Sequence, residues 1–365
     1  MYIYQHPNWP QFTWDNDKLV SSLGRVRQLQ GKLIGKMESL GFDLRNEAIL
    51  ETMTLDIIKS TEIEGELLNP DQVRSSVAKR LGIDIGGLIA SDRHVEGMVD
   101  LMMDATQNCI FELTQERLFD WHAALFPTGR NTMYKITVGD WRKDLTGAMQ
   151  VVSGPIGKEK VHFQAPDAAV LQREMDEFIK WFNTNTTVEP VIKAGITHLW
   201  FVTLHPFDDG NGRIARALTD MLLARADGSP QRFYSMSAQI RLERKSYYSI
   251  LEKTQRGNLN ITQWLEWFMN CLVTALQTSD VILARVLKKA AFWQTYGVSV
   301  SNPRQQTMLN LLLDGHELAV TSSKWAKVTK CSQDTASRDI QDLLTKNILR
   351  KTASGGRSTK YELCD

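Results

Sequence analysis

The stretch from His205 to Arg216 constrains the fold of this chain most, because it combines a helix break with a helix start. Its sequence is HPFDDGNGRIAR. Pro206 disfavours helical geometry at the residue before it, so the preceding helix is expected to end at His205. Gly210 and Gly212 allow backbone geometries that other residues avoid, and the next helix is predicted to begin directly after them. The chain is therefore expected to place two helices around one glycine-rich loop.

The start of that second helix has the properties of an anion-binding site. A helix N-terminus presents free N–H groups and the positive end of the helix dipole. Arg213 and Arg216 lie three residues apart, and so on one face of the helix. Cations are normally unfavourable at this end of a helix, so two arginines here indicate a multiply charged anion such as a polyphosphate.

Two further side chains in the stretch supply reactive groups. His205 can accept a proton from a hydroxyl group near neutral pH. Asp209 offers the hard oxygen that Mg²⁺ takes alongside phosphates. Together with the two arginines they favour phosphoryl or nucleotidyl transfer, in which positioning and charge stabilisation dominate. The sequence contains neither a Walker A lysine loop nor the catalytic motif of protein kinases, which excludes those two families.

Composition and charge limit the number of domains and the kinds of binding partner. The chain has 365 residues, enough for two or three domains, and its formal net charge of +1 excludes a general polyanion binder. The charge is uneven, because residues 288–365 carry 12 Lys and Arg against 7 Asp and Glu. A basic C-terminal part is therefore expected to follow a mildly acidic body.

The cysteines and the apolar runs indicate the cellular compartment. The four cysteines are far apart and form no C-x-x-C pair, which argues against a disulfide framework or a structural zinc site. The first residues lack the pattern of a signal peptide, and no apolar run approaches membrane-spanning length. We therefore expect a protein of the reduced cytoplasm with no membrane segment.

Hydrophobic periodicity predicts a mainly α protein. The predicted helices cover residues 19–40, 45–63, 72–81, 92–106, 114–125, 168–183, 191–204, 213–224, 245 to about 287, 321–329 and 332–346. Residues 149–163 predict a β-hairpin around a Gly-Pro turn. The last two helices are followed by two short strands between Leu349 and Leu363, which is the pattern of a winged helix.

The stretch at 205–216 resembles the signature of the Fic family, H-P-F-x-[D/E]-G-N-G-R-x-x-R, at every defined position. The similarity extends over Leu113 to Leu276, and residues 9–81 look like the helical domain that precedes Fic in many bacterial proteins. The resemblance implies a Fic helical bundle with a β-hairpin flap. The expected division is an N-terminal helical domain at 1–95, a Fic domain at 96–287 and a winged helix-turn-helix domain at 288–365.

The resemblance also implies the activity, which is transfer of AMP from ATP to a hydroxyl side chain of a protein with release of pyrophosphate. His205 would deprotonate the hydroxyl, and Asp209 would hold Mg²⁺ between the α- and β-phosphates. Arg213 would contact the phosphates and Arg216 the γ-phosphate. The α-phosphate would lie on the backbone amides of Gly210, Asn211 and Gly212, helped by the Asn211 side chain. Phosphorylating relatives carry Lys in place of Gly212, which favours AMP transfer here.

Flanking segments resemble further parts of Fic proteins. Tyr247, Tyr248 and Gln255 are similar to residues that pack on and hydrogen-bond adenine, although aromatic residues on helices are more often part of the core. The hairpin resembles the flap that holds a target segment by strand addition. Its tip residues are Gly154, Pro155, Ile156, Gly157 and Lys158. His198 is expected to pack inside the helix bundle.

Residues 60–65 fit the inhibitory pattern of the family, [S/T]-x-x-x-E-[G/N]. Ser60 and Glu64 are four apart on one helix face, and Gly65 marks the end of that helix. A carboxylate at a helix C-terminus is unfavourable unless a cation pairs with it, and Arg216 is the partner that the family implies. The pair would take the space of the γ-phosphate and block productive ATP binding.

Alternatives remain open at this stage. The enzyme could remove AMP from its target, with Glu64 supporting the reversal, or transfer another nucleotide, and the chain itself is among the candidate targets. A different class is a DNA-binding regulator whose Fic domain senses nucleotide, with residues 332–346 and 355–360 contacting DNA. Three aspartates on the proposed recognition helix, Asp334, Asp339 and Asp342, argue against phosphate contact. Relatives commonly pair, so a homodimer is also considered.

Overall fold

The structure is a computed structural model that describes residues 1–85, 88–131, 134–144, 147–155, 158–184, 187–313, 319–352 and 359–364. It forms two compact units, Met1–Asp280 and Val281–Asp365. The described residues are mostly helical, with two small antiparallel strand pairs, so the prediction of a mainly α protein is confirmed. None of the helices in these ranges combines the length and the apolar character needed to cross a membrane.

The first unit is a helical bundle. Its helices are α1 (Asn16–Glu38), α2 (Phe42–Ile63), α3 (Pro70–Leu81), α4 (Arg93–Gln107), α5 (Gln115–Leu125), α6 (Leu171–Asn183), α7 (Pro190–Leu204), α8 (Asn211–Asp227), α9 (Met236–Leu242), α10 (Arg244–Gln255) and the first part of α11 (Thr262–Tyr296). Side chains cap several of these helices: Asp15 accepts from the first turn of α1, and Asn69 does so for α3, which opens on Pro70.

The core of this unit lies around α7 and α8, which pack on each other more extensively than any other pair of helices. Almost every side chain of α7 is buried, because it is apolar on all faces. Helix α2 packs against α8 and α9, while α4 packs against α5 and α8. In the loop between α7 and α8, Phe207 and Gly210 are buried, whereas Asp208 and Asp209 are half-buried.

Strands β1 (Gln150–Ser153) and β2 (Lys160–Gln164) form the expected antiparallel hairpin. Val151 pairs with Phe163 and Val152 with Val161, so His162 is the extra residue of a β-bulge. Phe163 is buried while most of β1 is exposed. The hairpin thus lies on the bundle by one face and presents the other to solvent.

Three local predictions were wrong. Residues 245–287 do not form one helix, because Gly257 and Asn258 end α10 and the Asn260 side chain accepts from the backbone of Thr262 to start α11. Helix α8 begins two residues earlier than predicted, at Asn211, because Gly210 takes the left-handed cap position with φ +82°. The short helix α9 was not predicted, because it spans only seven residues.

The second unit contains the end of α11 and helices α12 (Pro303–Leu313), α13 (Ser322–Val328) and α14 (Gln333–Thr345), followed by the antiparallel strands β3 (Leu349–Lys351) and β4 (Tyr361–Leu363). Helix α12 was missed by the sequence analysis, whereas α13 and α14 lie within one residue of their predicted bounds. A core of its own surrounds Trp325, Met308 and Ile340. Part of the proposed wing, residues 355–358, lies outside the described residues.

Candidate active site

His205 ends α7 in a strained backbone conformation. Its φ of +49° and ψ of +56° are left-handed, which only a few per cent of non-glycine residues adopt. The His205 N–H still donates to the carbonyl of Phe201 at 3.0 Å, so the residue completes the last turn of α7. Strain of this kind persists only where the surroundings hold it, and it is common at functional sites.

The buried side chain of Arg142 holds this strained turn. Its Nε donates to the His205 carbonyl at 2.8 Å, and its backbone N–H donates to the Pro206 carbonyl at 2.9 Å. The same guanidinium donates to the carbonyl of Pro166 and pairs with Asp144. Sequence reasoning missed Arg142, since nothing in a single sequence distinguishes a buried arginine from the many exposed ones.

The imidazole of His205 is prepared to accept a proton. Its Nδ1 lies 3.3 Å from the Val202 carbonyl, and a carbonyl only accepts, so Nδ1 is assigned as the protonated nitrogen. The other nitrogen, Nε2, is then a free base. The ring reaches the pocket described below, but most of its surroundings are protein, and this burial lowers the pKa of His205 to about 4. The ring is therefore neutral near pH 7.

The loop after His205 is fixed by internal hydrogen bonds. The Asn211 carboxamide accepts from the Phe207 N–H at 3.0 Å and donates to the Phe207 carbonyl at 2.8 Å. The Phe207 ring stacks on His122, whose Nε2 lies 3.2 Å from the Asp209 carbonyl. Asn211 was predicted to reach the α-phosphate with its side chain, but both ends of that side chain are engaged by the loop. Its backbone N–H, in the first turn of α8, is the group that faces outward by helix geometry.

Arg213 is enclosed by two carboxylates and an aromatic ring. Its Nη1 lies 3.0 Å from Oε2 of Glu66, and its Nη2 lies 3.3 Å from Oδ1 of Asp209. The guanidinium also stands over the Phe126 ring at 5.0 Å. Glu66 was not selected from the sequence, although an acidic residue two positions beyond Glu64 is a signal that could have drawn attention to it.

Arg216 makes the contact that the inhibitory pattern predicts. The side chain is 2 % exposed, and its Nη2 lies 2.7 Å from Oε1 of Glu64. Its Nε donates to the Ser60 hydroxyl and its Nη2 to the Ser60 carbonyl, both at 2.8 Å. Burial alone would lower the pKa of Arg216, but the neighbouring Glu64 carboxylate raises it above its usual value. The structure thus brings Ser60, Glu64 and Arg216 together as expected.

Glu64 is placed by the end of α2. It is the C-cap residue, and the backbone turns immediately after it at Gly65, whose φ is +88°. The carboxylate lies directly against Gly212, where an added Cβ atom would be 2.1 Å from Oε1 of Glu64. The Glu64 carboxylate therefore contacts both Gly212 and Arg216.

A pocket of about 1,100 Å³ opens over this loop. Its walls include His205, Gly212 and Glu64, together with residues from the hairpin and from α10. It is also lined by Tyr247, Tyr248 and Gln255, which differ in their exposure to solvent. Tyr248 is 36 % exposed, whereas Tyr247 and Gln255 are buried. The pocket is large enough for a nucleotide with part of a second molecule.

Tyr247 and Gln255 are also core residues. The Tyr247 hydroxyl lies 2.8 Å from Nε2 of His198, and the Gln255 side chain donates to the carbonyl of Val202 at 3.4 Å. His198 is buried and contacts Thr219 through its other nitrogen, so its predicted packing role is confirmed. Tyr248 is consequently the ring of this set that is most accessible to a ligand.

The hairpin tip is described only in part. Gly154, Pro155 and Lys158 are described, whereas Ile156 and Gly157 lie outside the described residues. The Lys158 N–H donates to the Pro155 carbonyl at 3.0 Å, and Gly154 has a φ of +107°. The antiparallel pairing of β1 with β2 shows that the chain reverses between them, as the Gly-Pro sequence predicts.

The donor set around Asp209 fits Mg²⁺ only together with a phosphate. Among the described residues, no group of three or more His, Cys, Asp or Glu could hold a metal ion. Asp209 supplies one carboxylate, and Mg²⁺ commonly takes one or two carboxylates with substrate phosphates and waters. Asp209 therefore offers one of the ligands that Mg²⁺ would need, and the others would come from phosphates and waters.

Family comparisons identify two regions of the chain. Residues 112–223 match the Fic/DOC family, and residues 2–83 match a domain of unknown function, DUF4172. Among curated proteins, the protein adenylyltransferase Fic of Drosophila erecta is 28 % identical over 208 residues, and that of Drosophila sechellia is 27 % identical. Each match covers 56 % of this chain and 37 % of the relative, so the chain spans little more than a third of these relatives.

Solved structures show the same fold. A Fic family protein from Desulfovibrio desulfuricans G20 aligns with a TM-score of 0.51 at 18 % identity, covering 95 % of this chain and 96 % of that one. A Fic domain containing signaling protein from Bacteroides thetaiotaomicron VPI-5482 aligns with a TM-score of 0.52 at 19 % identity, covering 71 % and 97 %. At these identities the likeness concerns the fold alone.

Proposed function

Because this chain contains a Fic/DOC domain at residues 112–223, we propose that it is a protein adenylyltransferase held inactive by its own N-terminal helix. The reaction transfers AMP from ATP to a hydroxyl side chain of a protein and releases pyrophosphate. The observation that carries this proposal is that His205 lines one pocket together with Gly212 in the first turn of α8, and that the next turn of this helix carries two buried arginines.

His205 acts as the general base in this proposal. Its Nε2 takes the proton of the acceptor hydroxyl, while Arg142 keeps the ring in place through the His205 carbonyl. General bases of this kind contribute typically about 10²–10⁴-fold to the rate. The low pKa makes His205 a weak base in the resting state, and an approaching phosphate raises it by placing negative charge nearby.

The start of α8 binds the phosphates. The N–H groups of Asn211 and Gly212 lie in the first turn, and the N-cap, Gly210, has no side chain to occupy them. Arg213 and Arg216 neutralise the charge of the triphosphate. Asp209 would hold Mg²⁺, which supplies charge neutralisation on the phosphates when it is bound. Tyr248 is proposed to cover the adenine, and Gly154, Pro155 and Lys158 to border the target segment.

Glu64 is the proposed brake. It is bonded to Arg216 at 2.7 Å, and the neighbouring Glu66 is bonded to Arg213 at 3.0 Å. Both arginines that would receive the triphosphate are therefore neutralised by one short segment after α2. The Ser60 hydroxyl supports the arrangement by accepting from Arg216. ATP has to displace these carboxylates before it can bind productively.

The proposal also keeps the domain division and the cellular location that were expected from the sequence. It retains a helical N-terminal domain at 1–95, a catalytic domain at 96–287 and a winged helix at 288–365, in a cytoplasmic protein. Residues 1–280 form one compact unit, which contains the proposed N-terminal domain and the proposed catalytic domain up to residue 280.

The proposed function is tested with ATP labelled at either phosphate. Purified Glu64→Gly protein is incubated with Mg²⁺ and ATP labelled at the α- or the γ-phosphate, and protein-bound label is counted. AMP transfer predicts label from the α-phosphate only. Equal label from both positions, or label from the γ-phosphate alone, contradicts AMP transfer. The same comparison with labelled CTP, GTP and UTP identifies the preferred donor.

A second activity, DNA contact by α14, is favoured by one specific observation. Asp339 is buried and paired with Arg304 at 2.8 Å, and Asp342 is paired with Lys346 at 2.6 Å. Two of the three aspartates that argued against phosphate contact are thus neutralised within the unit. Arg338 remains exposed on the same helix.

Binding to a labelled DNA duplex tests this second activity. If α14 contacts phosphate, retention falls steeply between about 50 and 200 mM salt, and Arg338→Glu weakens it further. The exposed Arg25 of the first unit provides the control, because Arg25→Glu makes the same charge change elsewhere. Retention that is absent at low salt, or equal losses in both variants, rules out contact by α14.

A further inference from the structure

Three side chains of the hairpin and α10 form a hydrogen-bonded chain in the candidate pocket. The Ser153 hydroxyl lies 2.6 Å from Nε2 of His162, and Nδ1 of His162 lies 2.7 Å from Oε2 of Glu252. All three residues line the pocket that also contains His205 and Gly212. None of the three has a part in the function proposed above.

The proton positions in this chain follow from the carboxylate. The hydrogen bond from His162 lowers the pKa of Glu252, so this group is ionised near neutral pH and can only accept. Nδ1 of His162 must then donate to Glu252, because a carboxylate only accepts. In the tautomer that carries its single proton on Nδ1, Nε2 accepts the proton of the Ser153 hydroxyl. This is the arrangement in which a serine is activated as a nucleophile by a histidine that a third group orients.

His162 is held in this position from two sides. It is the extra residue of the bulge in β2, which turns its side chain towards β1 and α10. Arg256, at the end of α10, donates to the carbonyls of Val161 at 2.8 Å and His162 at 3.0 Å. The outer edge of β2 is thereby attached to the helix that carries Tyr248. A base fixed in this way is preorganised and loses little entropy when it reacts.

The Ser153 hydroxyl is hydrogen-bonded to this imidazole, and the residue is also exposed to solvent. It lies at the end of β1, next to Gly154. Other hydroxyls border the pocket too, including Ser249 on α10. What distinguishes Ser153 is its short hydrogen bond to an oriented imidazole, so it is the better nucleophile of the two.

We propose that Ser153 is an acceptor of AMP in self-modification, with His162 taking the place of His205 as the base for this one acceptor and Glu252 as the residue that orients His162. This inference rests on the proposed adenylyltransferase function. The Ser153 oxygen forms a bond to the α-phosphorus of ATP, and the bond from that phosphorus to the oxygen bridging to the β-phosphate breaks. Pyrophosphate leaves with the bonding electron pair, and the hydroxyl proton passes to Nε2 of His162.

The modification has a consequence for the hairpin. An AMP group on Ser153 places a phosphodiester and a nucleoside at the end of β1, the strand whose outer edge is not attached to α10. Strand addition at that edge requires an approach to the β1 backbone. Self-modification of Ser153 would therefore compete with binding of a target segment, and so limit the activity of the enzyme.

Peptide mass analysis tests the proposal. Glu64→Gly protein is incubated with ATP and Mg²⁺ and digested, and the modified residue is located by fragmentation. The expected result is one AMP on Ser153, lost in Ser153→Ala and unchanged in the control Ser21→Ala, which removes an exposed hydroxyl of α1 outside this pocket. His162→Gln should slow labelling of Ser153 about 10²-fold, the usual contribution of a general base. Glu252→Gln, which still accepts from Nδ1, should slow it less than Glu252→Ala.

The outcomes separate this inference from the function on which it rests. AMP found on other residues, with Ser153 unmodified, overturns the inference and leaves the adenylyltransferase function standing. AMP on Ser153 at the same rate in His162→Gln overturns the assignment of the base. Absence of AMP from every residue, with all nucleotide donors, overturns the proposed function and this inference with it.

Discussion

A Cβ atom on Gly212 would lie 2.1 Å from Oε1 of Glu64, closer than any non-bonded carbon and oxygen approach. The carboxylate at the end of α2 therefore packs on bare backbone in the first turn of α8. The proposed brake and the proposed phosphate cradle use the same space, so they exclude each other by contact as well as by charge. This relationship makes the position of Glu64 testable by mutation at a residue that carries no side chain.

The contact predicts a coupling between positions 212 and 64. Gly212→Ala in the wild-type background should cost about 1–3 kcal/mol of unfolding free energy, the usual penalty for overpacking. In Glu64→Gly protein the same change should be neutral or stabilising, because alanine favours a helix over glycine by about 0.5–1 kcal/mol. Urea unfolding of the wild type, the two single variants and the double variant measures this coupling. Equal costs in both backgrounds would show that Glu64 does not occupy this space.

The two carboxylates after α2 should restrain ATP binding unequally. Glu64→Gly is expected to tighten ATP binding at least tenfold, equivalent to about 1.4 kcal/mol. Glu66→Ala should tighten it less, because the Glu66 side chain is 41 % exposed and exposed ion pairs are screened by salt. Titration calorimetry at low and high salt measures both effects.

Glu62 is the matched control for these variants. It lies in the last turn of α2, directly before that segment, and pairs with Lys59 and Arg241, not with the arginines of the signature. Glu62→Ala should therefore leave ATP affinity unchanged. If Glu62→Ala and Glu64→Gly tighten binding equally, loosening of the segment and not release of Arg216 is responsible.

Stability should fall as the pH decreases from about 6.5 to about 4. Burial lowers the pKa of His122 and His205 from 6.5 to about 4 and that of His198 to about 3. In this window the unfolded chain binds protons at these rings and the folded protein does not, so protonation favours unfolding. Each ring contributes a slope of up to about 1.4 kcal/mol per pH unit.

Urea unfolding at a series of pH values measures this slope. Replacing the buried His198 by Gln should reduce it, whereas His94→Gln should not, because His94 is exposed. A free energy of unfolding that is constant over this range would show that the three rings are more accessible to solvent than the structure places them.

Arg142 should act on the rate and not on nucleotide affinity. Its described hydrogen bonds go to the carbonyls of His205, Pro206 and Pro166 and to Asp144, and not to the first turn of α8. Arg142→Lys keeps the charge but loses the fork of donors, so AMP transfer in the Glu64→Gly background should fall about 10–100-fold through misplacement of the base. ATP affinity, measured by calorimetry, should stay the same. A parallel loss of affinity would indicate a general collapse of the loop.

Part of this site could be predicted from the sequence. Pro206 and Gly210 determine local backbone geometry, so the helix break and the loop could be predicted, whereas Gly212 lies within α8. The pairing of Glu64 with Arg216 was expected from the resemblance to a family and not from spacing, since the two residues are 152 positions apart. The end of helix α2 was predicted from Gly65 alone.

The remaining features depend on tertiary packing. Arg142 and His122 act through backbone carbonyls that only folding brings within reach. The Asn211 side chain was expected to meet a phosphate, but the nearest partners of its amide are the backbone groups of Phe207. Ser153, His162 and Glu252 lie on three separate stretches, and the bulge that aligns them leaves no mark in the sequence.

Labelling of proteins in a cell extract tests the central claim most directly. Wild-type, Glu64→Gly and Glu64→Gly/His205→Ala proteins are incubated with extract, Mg²⁺ and ATP labelled at the α-phosphate, and labelled extract proteins are quantified. The account predicts weak labelling by wild type, strong labelling by Glu64→Gly and a loss of about 10²-fold or more when His205 is also replaced. Equal labelling by the last two proteins would contradict the assignment of His205 as the base.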